Sequence, residues 1–251
     1  MSPQSLTFFP SDVVILVTGL VGSGRSTFIN AFLQESSQKM RVGDPGSLST
    51  CTKKVDCAVI DLSTSSRCKR DYRLVLVDTP GFNDCDRSDS SVLHDITTWL
   101  QKSFPEGGHR GGVIYLHDIS ADRIQAAADS DLQALDFAFN SERASKRLVI
   151  ATTKWNCINN AEANRRHDIL KDHWKTLSAS STIHKFNETA DAWNIISDFL
   201  PQLERGSPIS MSRELSGMKE KKDKGERSHG SKREVAFRSL ARLFSRFLTN
   251  A

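Results

Sequence analysis

Six short apolar runs punctuate the chain: VVILV at 13–17, VDCAVIDL at 55–62, RLVLV at 73–77, GVIYLH at 112–117, RLVIAT at 147–152 and TIHKF at 182–186. Several lack alternation with polar residues, as strands do when helices cover both of their faces. Between them, patterns of helical type predict helices over 25–34, 89–103, 129–141, 160–177 and 189–203. Val92, Leu93, Ile96, Trp99 and Leu100 mark the second of these, and Leu132, Leu135, Phe137 and Phe139 the third. Strand–helix alternation predicts a three-layer α/β domain around a mostly parallel, six-stranded sheet. The runs at 55–62 and 73–77 are joined by STSSRCKRD, which leaves no room for a crossover helix. They are expected to form a hairpin, which makes one strand antiparallel.

Two stretches break the pattern. Residues 36–50 are rich in Ser and Gly without an apolar period, and residues 206–233 are dense in Lys, Glu, Ser and Gly. The second reads as a linker too polar to bury a core. The expected organisation is a globular domain over 1–204, a basic disordered linker over 205–233 and an amphipathic basic helix over 234–251. Charge divides the same way. Residues 1–204 hold 22 Lys/Arg against 25 Asp/Glu, whereas 205–251 hold 12 against 5. Attraction to anionic lipid or other phosphate-rich surfaces is therefore expected of the tail. No specific nucleic acid is expected as a partner.

Composition narrows the class without choosing a function. With 38% hydrophobic and 25% charged residues, the chain is neither collagen, nor a coiled-coil rod, nor wholly disordered. No run approaches the ~18 consecutive apolar residues of a membrane span. The start, MSPQSLTFFPSD, lacks the basic and apolar regions of a signal peptide. Five cysteines, at 51, 57, 68, 85 and 157, include no CxxC pair. A disulfide framework or zinc site is not expected, and a reducing, cytoplasmic compartment is.

Candidate chemistry begins at GLVGSGRS, residues 19–26, between the first strand and the first predicted helix. That placement is the context a phosphate-binding loop requires. Gly19, Gly22 and Gly24 permit tight backbone angles, so that N–H groups from Gly19 through Ser23 to Thr27 can face anionic oxygens. The helix start adds its dipole. Ser26 offers a hydroxyl to Mg²⁺. Arg25 stands where such loops carry Lys; it keeps the charge but is larger and planar. The competing reading is a plain Gly-rich turn. A second box, Asp78-Thr79-Pro80-Gly81, follows the third strand. An acid at that strand end holds Mg²⁺ in P-loop proteins, and the Gly81 N–H can reach a γ-phosphate. Thr153-Lys154-Trp155-Asn156 follows the fifth strand and is similar to the [NT]-K-x-D base box, with Asn156 in place of Asp. On its own it reads equally as a strand-end loop with a solvated lysine.

The three boxes in this order, with DTPGFND, IYLHDIS and the TKW motif, resemble the septin-like and immunity-associated branch of the GTPases, which includes the plastid-import receptors. The chain is similar in particular to small fungal G-domain-containing P-loop proteins. The resemblance covers about residues 11–203. It implies a P-loop G domain that binds GTP and GDP with Mg²⁺, and nucleotide-dependent homodimerisation. It also implies that Thr52, in LSTCTKK, is the switch threonine completing the Mg²⁺ shell, with Thr50 as a nearby competitor. Lys154 and Asn156 would then meet the base, Ser26, Thr52 and Asp78 the metal, and Thr52, Asp78 and Gly81 the γ-phosphate. The loop Asn187-Glu188-Thr189 would lie near the base.

Slow hydrolysis of GTP is expected. Phe82 occupies the position where Ras-like enzymes carry a water-orienting Gln, and a phenyl ring orients no water. Asn83 or Asp84 either takes that role or caps the next segment. His117 ends a strand and reads either as a group acting across a dimer or as packing. A non-hydrolysing nucleotide-dependent module is the alternative. A P-loop ATPase or kinase fits the first box but not the other two. At the far end, Phe237, Leu240, Ala241, Phe244, Phe247 and Leu248 share one face of a helix whose other face carries Arg238, Arg242 and Arg246. Such a helix needs an anionic membrane or a protein surface to fold upon.

Overall fold

The computed structural model describes residues 6–9, 11–33, 39–43, 52–63, 73–82, 84, 86–104, 110–121, 148–177 and 182–204. The helix expected over 129–141, most of 36–50, and everything expected after 204 lie outside the described residues. The elements run β1 Val13–Gly19, α1 Arg25–Leu33, β2 Asp56–Asp61, β3 Arg73–Asp78, α2 Asp89–Ser103, β4 Arg110–Asp118, β5 Leu148–Thr153, a 3-10 turn Trp155–Cys157, α3 Asn160–Leu177, β6 Thr182–Lys185 and α4 Thr189–Glu204. Every apolar run of the sequence is a strand. Among the described residues no helix is long and apolar enough to cross a membrane.

The six strands form one sheet in the order β2-β3-β1-β4-β5-β6. All neighbours are parallel except β2 and β3, which pair antiparallel from Asp56 opposite Asp78 to Asp61 opposite Arg73. The short connection between those two strands dictates this hairpin, as expected. The continuous apolar runs divide by the strand's two-residue period. Val14 and Leu16 of β1 join Val75, Val77, Val113, Tyr115 and Ile150 on one face, under Val92, Ile96 and Leu100 of α2 and Leu170 of α3. Val13, Ile15 and Val17 join Leu74, Leu76, Ile114, Leu116 and Val149 on the other, under α1 and α4. Both faces are covered, which is why the strands show no polar alternation.

Aromatic side chains tie the α1–α4 layer to the sheet. Phe28 stacks edge-on against Phe32 and Phe186, and Phe32 against Trp193, with ring centroids 5.6, 5.0 and 4.8 Å apart. This fixes α1, and with it the loop that precedes α1. The strand order reverses at β1, whose successors in the sheet depart to opposite sides. The loops after β1, β3, β4, β5 and β6 therefore gather at one end, around the crevice where ligands of open α/β sheets bind.

Candidate functional site

The loop after β1 holds its three glycines at positive φ: Gly19 at 151°, Gly22 at 77° and Gly24 at 93°. At Gly19 the constraint is also spatial. A Cβ there would lie 2.4 Å from Leu116 O and 2.6 Å from Ser23 Oγ. Only glycine lets the loop pass between β4 and its own turn. The turn closes through Ser23 N donating to Leu20 O, and the first helical bond is Phe28 N to Gly24 O. The N–H groups of Arg25, Ser26 and Thr27 thus belong to the first turn of α1, which has no partners within the helix. The backbone from Gly19 to Thr27 forms the candidate cradle for anionic oxygens.

Arg25 lies inside this cradle rather than in solvent. Its Nη1 donates to Gly19 O and Leu20 O, both at 2.7 Å. Its Nε lies 4.0 Å from Asp78 Oδ1. Burial lowers its pKa, opposed by Asp78 and, more weakly, by Tyr115 and Asp84. The planar head fits by lying against the loop carbonyls.

Three oxygens converge beside it. Ser26 Oγ donates to Asp78 Oδ2 at 2.6 Å, Thr52 Oγ1 lies 3.2 Å from Ser26 Oγ, and Thr52 Oγ1 lies 3.5 Å from Asp78 Oδ2. Asp78 is 2% exposed. Burial raises its pKa, against the hydrogen bond from Ser26 and the charge of Arg25, and Asp56 across the hairpin pushes the same way as burial. Among the described residues, the buried side-chain polar atoms without a hydrogen-bond partner are Thr18 Oγ1, Ser23 Oγ, Arg25 Nε, Asp78 Oδ1 and Trp193 Nε1. Three of them belong to this cradle and its acid. A buried carboxylate whose Oδ2 meets two hydroxyls, and whose Oδ1 accepts no hydrogen bond among the described residues, fits a hard divalent cation. No cluster of three or more His, Cys, Asp or Glu among the described residues is placed to hold a metal. The candidate cation site is a hydroxyl–carboxylate cluster instead.

The loop after β3 is joined to the cradle by its backbone. Phe82 N donates to Gly19 O at 3.2 Å and Val21 N to Phe82 O at 3.0 Å. Thr79 Oγ1 donates to Val17 O at 3.0 Å. Gly81 sits so close that a Cβ would lie 2.7 Å from Val21 Cα and 2.8 Å from Arg25 Nη2. The Phe82 ring is 1% exposed and part of the core under α2. It therefore offers nothing to a reacting water, as its chemistry indicated. Asp84 accepts from Asp86 N at 2.9 Å, closing a local turn, and its charge reaches Arg25.

The Thr153–Asn156 box follows β5, as its place in the sequence predicts. Lys154 adopts φ 60°, the left-handed region, and the 3-10 turn follows. Trp155 is buried while Lys154 and Asn156 are exposed. The Trp155 indole donates to Thr152 O at 3.0 Å, and Lys185 Nζ lies 4.1 Å from its ring centroid. Thr153 Oγ1 contacts Ser23 O at 2.9 Å, which ties this box to the cradle. Lys154 Nζ pairs with Asp118 Oδ2 at 2.9 Å and lies 3.8 Å from where a Gly22 Cβ would be. Asp118 was not singled out from the sequence, although it stands in IYLHDIS at the end of β4. Its tether on Lys154 is visible only once β4 and β5 are known to be neighbours. In the loop after β6, the Asn187 and Glu188 N–H groups donate to Asp191 Oδ2 at 2.8 and 3.1 Å, at the start of α4.

His117 is buried at the end of β4, and burial pushes its imidazole down to about 4. This is packing, and the ring is neutral at physiological pH. The unfolded chain takes up this proton below about 6.5, whereas the folded chain refuses it until about 4. Stability is therefore expected to fall as pH drops across that window, by at most about 3 kcal/mol from this residue. His167 and His184 are also lowered by burial and add in the same sense, while the raised Asp78 opposes them. Urea melts at stepped pH check this: His117→Gln should flatten the decline between pH 6.5 and 4, and an unchanged slope would refute the assignment.

A glycine-lined anion cradle, a hydroxyl–carboxylate cation site and a lysine-bearing base box at one sheet edge define a P-loop nucleotide-binding domain. Residues 14–154 match the family described as the 50S ribosome-binding GTPase family. That is more than half of the chain, and the chain belongs to this family. The septin homolog spn5 of Schizosaccharomyces pombe is 29% identical over 130 residues, 51% of this chain and 24% of that one. The chain thus spans about a quarter of that relative's length. Toc33 from Arabidopsis thaliana, solved with GDP and Mg²⁺, superposes with a TM-score of 0.55 at 14% identity, over 80% of this chain and 88% of that one. A dimerization-deficient mutant of Toc33 gives 0.55 at 13% identity, over 80% and 88%. At these identities the likeness is one of fold, and it agrees with the septin-like and plastid-import-receptor resemblance of the motifs.

Proposed function

We propose that this chain is a guanine-nucleotide switch that binds GTP and GDP with Mg²⁺ and hydrolyses GTP slowly. The observation that carries the reading is the convergence of Ser26 Oγ, Thr52 Oγ1 and the Asp78 carboxylate beside a cradle that holds Arg25. Within the Gly19–Thr27 cradle, the N–H groups of Gly22 and of Gly24 through Thr27, with the Arg25 head, would bind the phosphates, while Ser23 N and Val21 N close the loop on Leu20 O and Phe82 O. Ser26 and Thr52 would hold Mg²⁺, with Asp78 directly or through water. Bound there, Mg²⁺ neutralises phosphate charge. Gly81 would present its N–H to the γ-phosphate. The stem of Lys154, fixed by Asp118, would lie on the base, and Asn156 would read its edge.

Equilibrium binding of GTP, GDP, ATP and XTP, each with Mg²⁺ and with EDTA, tests this. Micromolar or tighter GTP binding that weakens in EDTA and exceeds ATP binding is expected. Equal affinity for ATP and GTP would overturn it. The buried Phe82 ring favours one second reading, a nucleotide-dependent interaction module that does not hydrolyse. Single-turnover GTP hydrolysis separates the two.

A nucleotide-dependent homodimer is part of the proposal, supported by the dimerization-deficient mutant solved for the fold neighbour Toc33. The tail supplies a second contact. The apolar face of 234–250 would enter an anionic membrane while the basic residues meet lipid phosphates, giving a cytoplasmic protein with reversible peripheral attachment. Flotation with phosphatidylserine vesicles is expected to carry the full chain but not a chain ended at residue 205. If both stay in the soluble fraction at low and at physiological salt, the helix belongs to a protein surface.

A further inference from the structure

Thr52 reaches the cation site from a segment that precedes β2, and its own hydroxyl contacts are long: 3.2 Å to Ser26 Oγ and 3.5 Å to Asp78 Oδ2. A ligand on such a segment needs its backbone held from elsewhere. The next residue, Lys53, offers its carbonyl, and Arg87 takes it. Arg87 Nη1 donates to Lys53 O at 2.6 Å. Arg87 Nη2 donates to Asp95 Oδ2 at 2.5 Å and to Ser91 Oγ at 3.2 Å. Asp95 and Ser91 lie on one side of α2, a helix capped at Ser88 and packed into the core through Val92, Ile96 and Leu100. One planar guanidinium thus joins a rigid helix to the backbone beside Thr52.

We propose that Arg87 is a positioning residue for the cation site: it anchors the Thr52 segment to α2, so that Thr52 Oγ1 is delivered to the metal and α2 registers whether it is bound. The inference rests on the nucleotide-switch reading above. Arg87 acts through Lys53 O. The fork is essential, because one arm holds the carbonyl while the other holds Asp95. A lysine has the charge but not two arms of fixed geometry.

The test is a Mg²⁺ titration of GTP binding in the full chain, with wild type, Arg87→Ala, Asp95→Asn, Thr52→Ala and the Arg87→Ala/Thr52→Ala pair. Arg87→Ala is expected to raise the Mg²⁺ midpoint about tenfold, while GTP affinity in EDTA and the melting temperature stay at wild-type values. Asp95→Asn, which loosens the anchor without removing it, is expected to act in the same direction by about two- to threefold. Arg87→Ala in the Thr52→Ala background should add almost nothing, since residues acting through one contact are not additive. In the nucleotide-free chain, amide exchange over 52–55 should speed up about tenfold in Arg87→Ala. An unchanged Mg²⁺ midpoint in Arg87→Ala, or full additivity with Thr52→Ala, overturns the inference. Wild type that binds no GTP, or binds it equally well in EDTA, overturns the nucleotide-switch reading and this inference with it. Wild type with Mg²⁺-dependent binding but an indifferent Arg87→Ala overturns only the role of Arg87.

Discussion

Asn156→Asp is expected to sharpen the preference for GTP over XTP by roughly one to two orders of magnitude. Trp155 is buried in the 3-10 turn, and its neighbours Lys154 and Asn156 are exposed. Position 156 is thereby available to a base edge. Guanine presents two donors there, N1–H and the exocyclic amine. An Asp accepts both; an Asn accepts one and opposes the other with its own NH₂. Xanthine has an oxygen in place of the amine, and that oxygen accepts from the Asn. One mismatched contact of this kind costs roughly 1–3 kcal/mol. Wild type is accordingly expected to choose GTP over XTP weakly, and Asn156→Asp strongly. Competition of both nucleotides against a fluorescent analogue measures the ratio. A wild-type preference of a thousandfold or more would sink the assignment of Asn156 to the base.

Asp78→Asn should remove most of what Mg²⁺ contributes to GTP affinity. The acid is buried, its Oδ1 has no hydrogen-bond partner among the described residues, and burial biases it toward the protonated form. A divalent cation reverses that bias, because it is the larger local charge. The amide keeps the shape and an acceptor for the Ser26 hydroxyl, but it cannot neutralise a cation. Loss of a residue that orients or holds a metal shell costs about 10–100-fold in affinity. The expected result is a GTP affinity reduced by that factor with Mg²⁺ and nearly equal to wild type in EDTA. Calorimetry in both buffers decides it, and equal losses in the two buffers would show a merely structural role.

The fold was legible because its signal is local. β1, β3 and β5 are continuous apolar runs, and the eleven residues between β2 and β3, most of them polar, leave no room for a crossover helix. The glycines of the cradle and the acid at the end of β3 were legible for a related reason. Each sits directly after a strand, and strand ends at one sheet edge converge whatever the intervening chain does. What escaped the sequence was pairwise and distant. Asp118 meets Lys154 across two neighbouring strands, and Arg87 meets Lys53 across 34 positions. Neither residue type is unusual in its place, so no local pattern marks it. Phe82 is instructive in another way. Its ring fills the core and offers nothing to water, yet its contribution to the site is made by its backbone, which sequence does not display.

That backbone contribution bears on the entropy of nucleotide association. A flexible sensor loop loses chain freedom when it closes on a phosphate, roughly 1–2 kcal/mol for each residue fixed. Here the hydrogen bonds between Phe82 and the stretch Gly19–Val21 have already removed that freedom from Gly81 during folding. In the proposed switch, the Gly81 N–H would thus meet an incoming γ-phosphate as a preorganised donor, so its attraction would not be spent on ordering the chain. Because GDP lacks that phosphate, the contact would favour GTP without an ordering cost at Gly81.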